Sequence, residues 1–99
     1  MILKIQYEFS AKVWQHGSNA GWYFVSLPEK TTNEIRQFSK QHEEGWGRLK
    51  SSVNIGETSW QTSIWFDRKL QTYLLPIKAS VRKKELIEKD KIVTVKIFV

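Results

Sequence analysis

The chain contains no cysteine. Disulfides, thiolate metal centres and cysteine nucleophiles are therefore excluded, and a small domain built without staples fits a reducing compartment. Histidine is scarce too: His16 falls in a turn and His42 beside Glu43 and Glu44 near a helix end. A histidine with adjacent carboxylates on one helix is not a coordination set, so both read as surface residues and no metal or other cofactor is expected. The glycines at 45, 47 and 56 have turn spacing rather than phosphate-loop spacing. Serines are frequent, but no nucleophile-elbow pattern surrounds any of them. No nucleophile–base–orienter set can be assembled, which makes an enzyme the least favoured class. Nor does any apolar run approach the roughly 20 residues of a membrane helix. The opening MILKIQYEF carries Lys4 and Glu8 without a signal-peptide layout. The expectation is a cytoplasmic protein with no membrane partner.

What the chain does have is one domain's worth of residues, 99, enough to bury roughly 60–70% of the surface of the unfolded chain. Its net charge is +6, unevenly placed. Residues 1–67 balance seven basic against seven acidic side chains, whereas 68–99 hold nine basic against three acidic, so the last third carries the whole excess. Such asymmetry favours an anionic partner.

Hydrophobic alternation dominates the pattern. Met1 to Val13 alternates with period 2, Leu3, Ile5, Tyr7, Phe9, Ala11 and Val13 against polar neighbours, and its length predicts a bulge near Ser10. A turn follows over His16-Gly17-Ser18-Asn19, then Trp22 to Leu27, apolar on both faces as in a central strand. Thr31-Thr32-Asn33-Glu34 has the form of a capping box, which predicts a helix from about Thr32 to Glu44 with Gly45 as its left-handed stop. Its apolar stripe, Ile35 and Phe38 with His42, is narrow, so the helix should lie on the sheet rather than fill a core. Trp46 to Ile55 and Ser59 to Phe66 alternate about the hairpin turn Gly56-Glu57-Thr58. Thr72 to Leu75 is a strand closed by Pro76, Ile77 to about Lys84 a short helix, and Ile92 to Val99 a last strand. The fold class is mainly β: a single small barrel, residues 1–99, of six to seven strands with one longer and one short helix. The plan occurs twice. Phe24 to Pro28, Ile35-Arg36 and a strand from Arg48 echo Tyr73 to Pro76, Val81-Arg82 and a strand from Lys91.

Several blocks carry a family likeness. Gly21-Trp22-Tyr23-Phe24-Val25-Ser26-Leu27-Pro28, Glu34-Ile35-Arg36, Gly45-Trp46-Gly47-Arg48, Ile55-Gly56, Trp60-Gln61-Thr62-Ser63 and the run from Tyr73 to Lys83 resemble the signature of a bacterial family of domains of unknown function, numbered nineteen hundred and five. The match runs in order from about Phe9 to Val95. The resemblance implies a double-split β-barrel, the fold of transition-state-regulator DNA-binding proteins, in which two chains swap hairpins to close one barrel. A duplicated chain can close the barrel alone, so monomer and homodimer both fit. The family has no established activity and implies no functional residues. This chain departs from the pattern at Trp65-Phe66-Asp67, where relatives tend to have phenylalanine-proline, and at Lys89-Asp90, where they tend to have glycine-aspartate. The second departure removes the residue that most easily takes a positive φ.

Two features remain for function. Lys78 and Arg82, four apart, share a helix face near the barrel mouth, with Lys83 and Lys84 beside them. Arg48 and Arg36 join this cluster if the halves are symmetric, and such a cluster holds phosphate or carboxylate. Of five tryptophans, Trp22 and Trp60 fall where a core would take them, while Trp14, Trp46 and Trp65 fall at strand ends or on the polar side. Beside Arg48, Lys50 and Arg68 the latter could wall a ligand site or stack bases, although capping the open ends of a small barrel is the simpler role. The reading is a non-catalytic binding module for an anionic small ligand or a protein partner, with Lys78, Arg82, Arg48 and Trp46 as ligand residues. Nucleic-acid binding is the alternative.

Overall fold

The computed structural model describes residues 4–17 and 21–99, the side chain of Trp46 excepted. The predicted beginning of the first strand at Met1 and the turn residues Ser18 and Asn19 lie outside the described residues. Among the described residues six strands form: β1 (Gln6–His16), β2 (Trp22–Ser26), β3 (Arg48–Ile55), β4 (Thr58–Asp67), β5 (Thr72–Pro76) and β6 (Ile92–Phe98). Two α-helices, α1 (Glu29–Ser39) and α2 (Ala79–Glu85), cross between them. All pairings are antiparallel, and the order β1-β2-β5-β4-β3-β6 closes into a barrel. Among the described residues no helix is long and apolar enough to cross a membrane.

Period-2 patterning places Val13, Val25, Val53, Ile64, Leu75 and Ile97 inside, each at most 1% exposed. β1 shows no bulge at Ser10, contrary to expectation. Its register with β6 runs unbroken from Gln6–Phe98 to Lys12–Ile92. The strand's length is used instead by two neighbours in succession, since Val13 to His16 pair with β2.

The chain is β-β-α-β written twice, and the ring order is unchanged when the halves are exchanged. The join between halves is β2–β5, with Val25 opposite Leu75. Leu27 N–H donates to the Tyr73 carbonyl and Ile77 N–H to the Tyr23 carbonyl, both at 2.9 Å. The two bonds exchange under a shift of 50 residues, 23 to 73 and 27 to 77. The true equivalence is thus Tyr23 with Tyr73 and Leu27 with Ile77. The prolines that suggested the echo are not equivalent: Pro28 caps α1, Pro76 lies within β5, and Lys78 is the cap of α2.

α1 begins earlier than the capping box predicts. Pro28, with φ −57°, presets the start, and Thr32 N–H makes the first bond to the Pro28 carbonyl. Thr31 is therefore interior to the helix, and no side chain caps it. Thr32 is fully buried, with its hydroxyl on the Leu27 carbonyl and on Thr72 Oγ1, where it latches helix to barrel. Of the expected stripe Ile35 is buried, whereas Phe38 is 57% exposed and His42 is exposed. The helix gives way at Lys40–His42 to a 3-10 turn, and the left-handed glycine is Gly47 (φ 73°) rather than Gly45. Before β6, the turn lacking glycine places Asp90 at φ 72°, a conformation that aspartate tolerates better than most side chains.

Gly21 is required for a different reason: a Cβ there would sit 2.0 Å from the His16 carbonyl oxygen. Gly21→Ala should cost about 1–2 kcal/mol, measured as a lower urea midpoint. Gly45→Ala, with nothing within 4 Å, should be neutral to about 0.5 kcal/mol.

Candidate anion site at one barrel mouth

β2 and β5 are antiparallel neighbours, and each feeds the helix that follows it. α1 and α2 therefore sit at opposite ends of the barrel. The α2 end holds a cavity of about 370 Å³ walled by Trp22, Tyr23, Trp60, Thr62, Lys78 and Arg82, with Gly21, Gln61, Pro76 and Ile77 completing it. Two cations line it and no carboxylate does.

Arg82 is fixed on two sides. Its Nε–H donates to the Ile77 carbonyl at 3.1 Å, and its guanidinium carbon lies 3.9 Å from the centroid of the Tyr23 ring. The stack and the bond hold the fork in one orientation, while its terminal nitrogens have no hydrogen-bond partner among the described residues. Lys78, the residue before α2, is exposed and also has no partner there. Both line this cavity, but not through a shared helix face as expected: the helix begins at Ala79, not Ile77, and Lys78 is extended (φ −70°, ψ 160°).

Arg48 does not join them. It stands on β3 opposite Trp65 and faces outward, away from the lining of this cavity. The backbone of Trp46 lies in the 3-10 turn Gly45–Gly47 before β3, and its side chain is outside the described residues. Arg36 is at the other end. Its Nη1 pairs with Glu43 Oε2 at 3.3 Å, and its guanidinium carbon lies 3.9 Å from the centroid of the Phe66 ring. Glu43 also accepts the hydroxyl of Tyr73. Burial first, and then the hydrogen bond to Glu43, push the Tyr73 phenol well above its ordinary range. Arg36 is therefore neutralised internally. Symmetry does not extend the basic cluster, because the counterpart of Arg82 under the 50-residue shift is Thr32.

Register also relocates the tryptophans. Trp14 opposes Phe24 and Trp65 opposes Leu74 on the outer face of the sheet. Phe24 and Leu74 are only 6% and 4% exposed, because Trp14, Trp22 and Trp65 lie around them at ring-centroid separations of 5.0–6.1 Å from Phe24. The indole N–H of Trp14 is satisfied by Ser26 Oγ at 2.9 Å. Trp22, expected in the core, lies on this outer face and is 63% exposed. Tyr23, Trp22 and Trp60 are the site residues that side-chain type alone missed. Strand parity identifies Trp22 and Tyr23 only when the β1–β2 register is known, and Trp60 only when the β3–β4 register is known.

Among the described residues no group of three histidine, aspartate or glutamate side chains could hold a metal ion. Both histidines are exposed. A comparison with curated proteins found no match. The family model described as Domain of unknown function (DUF1905) matches residues 9–97. That match spans most of the chain, and the chain belongs to this family.

Proposed function

We propose that the protein is a non-catalytic binding module that takes a small anionic ligand in the cavity at the α2 end. The observation that carries this is the lining: Lys78 and Arg82 face a concave space with no acidic side chain to neutralise them. An anion entering it gains charge-assisted bonds from a fork that is already oriented, so little ordering cost opposes binding. The same lining has neither histidine nor carboxylate to act as a base, which supports binding rather than turnover. A protein partner ranks lower because the cations face a cavity rather than a flat surface. Nucleic acid ranks lower because Arg68 and Lys69 lie in the β4–β5 turn, at the opposite end of β5 from α2. The basic residues of the last third do not form one stripe.

A thermal-shift panel of small phosphates and carboxylates tests the reading. A ligand at 100 times its Kd should raise Tm by about 10–20 °C. Lys78→Glu should abolish that shift while leaving the unliganded Tm nearly unchanged, since Lys78 is exposed. Arg82→Lys should weaken it through loss of the ring stack and the bidentate fork. Hits that shift the Lys78→Glu protein equally would overturn the site. Titration of a duplex oligonucleotide at rising salt tests the alternative, which requires a steep fall in affinity.

A further inference from the structure

The two barrel ends provide an internal comparison. Under the equivalence of Tyr23 with Tyr73, Arg82 corresponds to Thr32, Trp22 to Thr72 and Lys78 to Pro28. At the α1 end these positions do structural work with small groups. Thr32 Oγ1 donates to the Leu27 carbonyl, Thr72 Oγ1 donates to the same carbonyl, and Pro28 starts the helix. At the α2 end Arg82 Nε makes the equivalent bond, to the Ile77 carbonyl. The fold can therefore close this position with a threonine pair. A guanidinium, an ammonium and an indole at the α2 end exceed what closure needs.

The indole is the informative one. Trp22 is 63% exposed, yet it is not loose. One side meets Phe24 in a stacked arrangement (centroids 6.1 Å, interplanar angle 13°), and Trp65 abuts it edge-on at 6.3 Å. Its remaining surface forms a fixed flat shelf on the rim of the cavity that holds Lys78 and Arg82. Such a shelf pairs an aromatic platform with two cations. The cavity, about 370 Å³, lies at the small end of the 300–1,000 Å³ typical of small-molecule sites. It suits one ring system and one anionic group.

We infer that the ligand of this mouth is a nucleoside monophosphate in its chemistry, with its base stacked on Trp22 and its phosphate between Lys78 and Arg82. The inference rests on the anion-binding reading above and adds the ring. Phosphate fits better than carboxylate because two unopposed cations match a group carrying about −1.5 to −2 at neutral pH. A base fits better than a saturated group because every base offers a π-face to an indole.

Calorimetric titration with AMP, ribose 5-phosphate and adenosine separates the two contributions. AMP should bind about tenfold or more tighter than ribose 5-phosphate, the size of one base–aromatic stack. Trp22→Leu should remove that preference and leave ribose 5-phosphate binding unchanged, while Trp22→Tyr should keep most of it. Lys78→Glu should remove binding of both phosphates. Trp22→Tyr, which retains a ring over Phe24, guards against a folding defect in the leucine variant. If AMP and ribose 5-phosphate bind equally and both need Lys78, the ring inference fails and the anion site stands. If neither binds and the wider anion panel is also silent, both fail. A preference for AMP that survives Trp22→Leu overturns the shelf. A twelve-nucleotide single-stranded DNA that binds more than tenfold tighter than AMP overturns the mononucleotide in favour of a strand.

Discussion

Leu75→Ala is expected to destabilise the protein by about 2–5 kcal/mol, a large share of the roughly 5–15 kcal/mol that holds a domain of this kind. Leu75 is fully buried and sits opposite Val25 where the two halves of the barrel join. The truncation leaves a void where β2 meets β5, and the closed ring of strands leaves little room for collapse around it. With a urea slope near 2 kcal/mol/M, a mid-range loss of about 3.5 kcal/mol lowers the midpoint by about 1.75 M. Ile92→Ala is the control. That side chain is 67% exposed and should change stability by no more than about 0.5 kcal/mol. Equal effects at the two positions would contradict the described register.

The second large effect is expected at Glu43. Its carboxylate accepts the Tyr73 hydroxyl and pairs with Arg36, whose side chain is 26% exposed against 13% for Glu43. Glu43→Ala leaves a buried phenol without an acceptor and a half-buried guanidinium without a counterion, at about 2–3 kcal/mol after allowing for partial solvation. Because the residues form one network, Glu43→Ala and Tyr73→Phe should not add. The double variant should cost at least about 1 kcal/mol less than the sum of the singles. The pH dependence has a definite sign. Tyr73 has a folded pKa raised above its ordinary 10.0, so the fold favours the neutral phenol. That contribution is complete below about pH 10 and is lost as pH rises from there toward the raised folded value. Tyr73→Phe should therefore show a shallower loss in alkaline denaturation. The slope will not vanish, because burial and the Glu34 charge also raise Tyr7.

The strands were readable because alternation is local. Leu49, Val53 and Ile55 on β3, and Val93, Val95 and Ile97 on β6, are each buried as their period predicts. Helix boundaries were less readable. The Thr31–Glu34 box competes with Pro28 for the start, and proline wins because its φ is preset while the threonine hydroxyl must still find its partner. Half of the candidate site was legible for the same local reason. Lys78 stands one residue before α2 and Arg82 within it, so this short local connection brings both to one end of the barrel, although Lys78 is extended and shares no helix face with Arg82.

Trp22 shows where local reading ends. Its neighbours Tyr23 and Val25 turn inward and Trp22 outward, and the side-chain period of 2 means that one step of register reverses all three. Composition placed the indole in the core, whereas the pairing of His16 with Trp22 puts it on the rim. Arg36 and Arg48 do not line this cavity for a related reason. Ile35-Arg36 echoes Val81-Arg82, but closure carries Arg36 to the α1 end, and Arg48 lies on the outer surface of β3.

From the sequence alone follow the mainly β class, a strand-helix-strand pattern that occurs twice, the absence of thiol chemistry and the concentration of charge in the last third. All of these are set by residue type and short-range period. Tertiary structure decided which tyrosine is equivalent to which, which cation is neutralised and which is left facing a cavity, and which tryptophan is exposed beside it. Those outcomes depend on register and barrel closure. Both are fixed by pairings between residues as far apart as Tyr7 and Ile97, over which no local pattern has a hold.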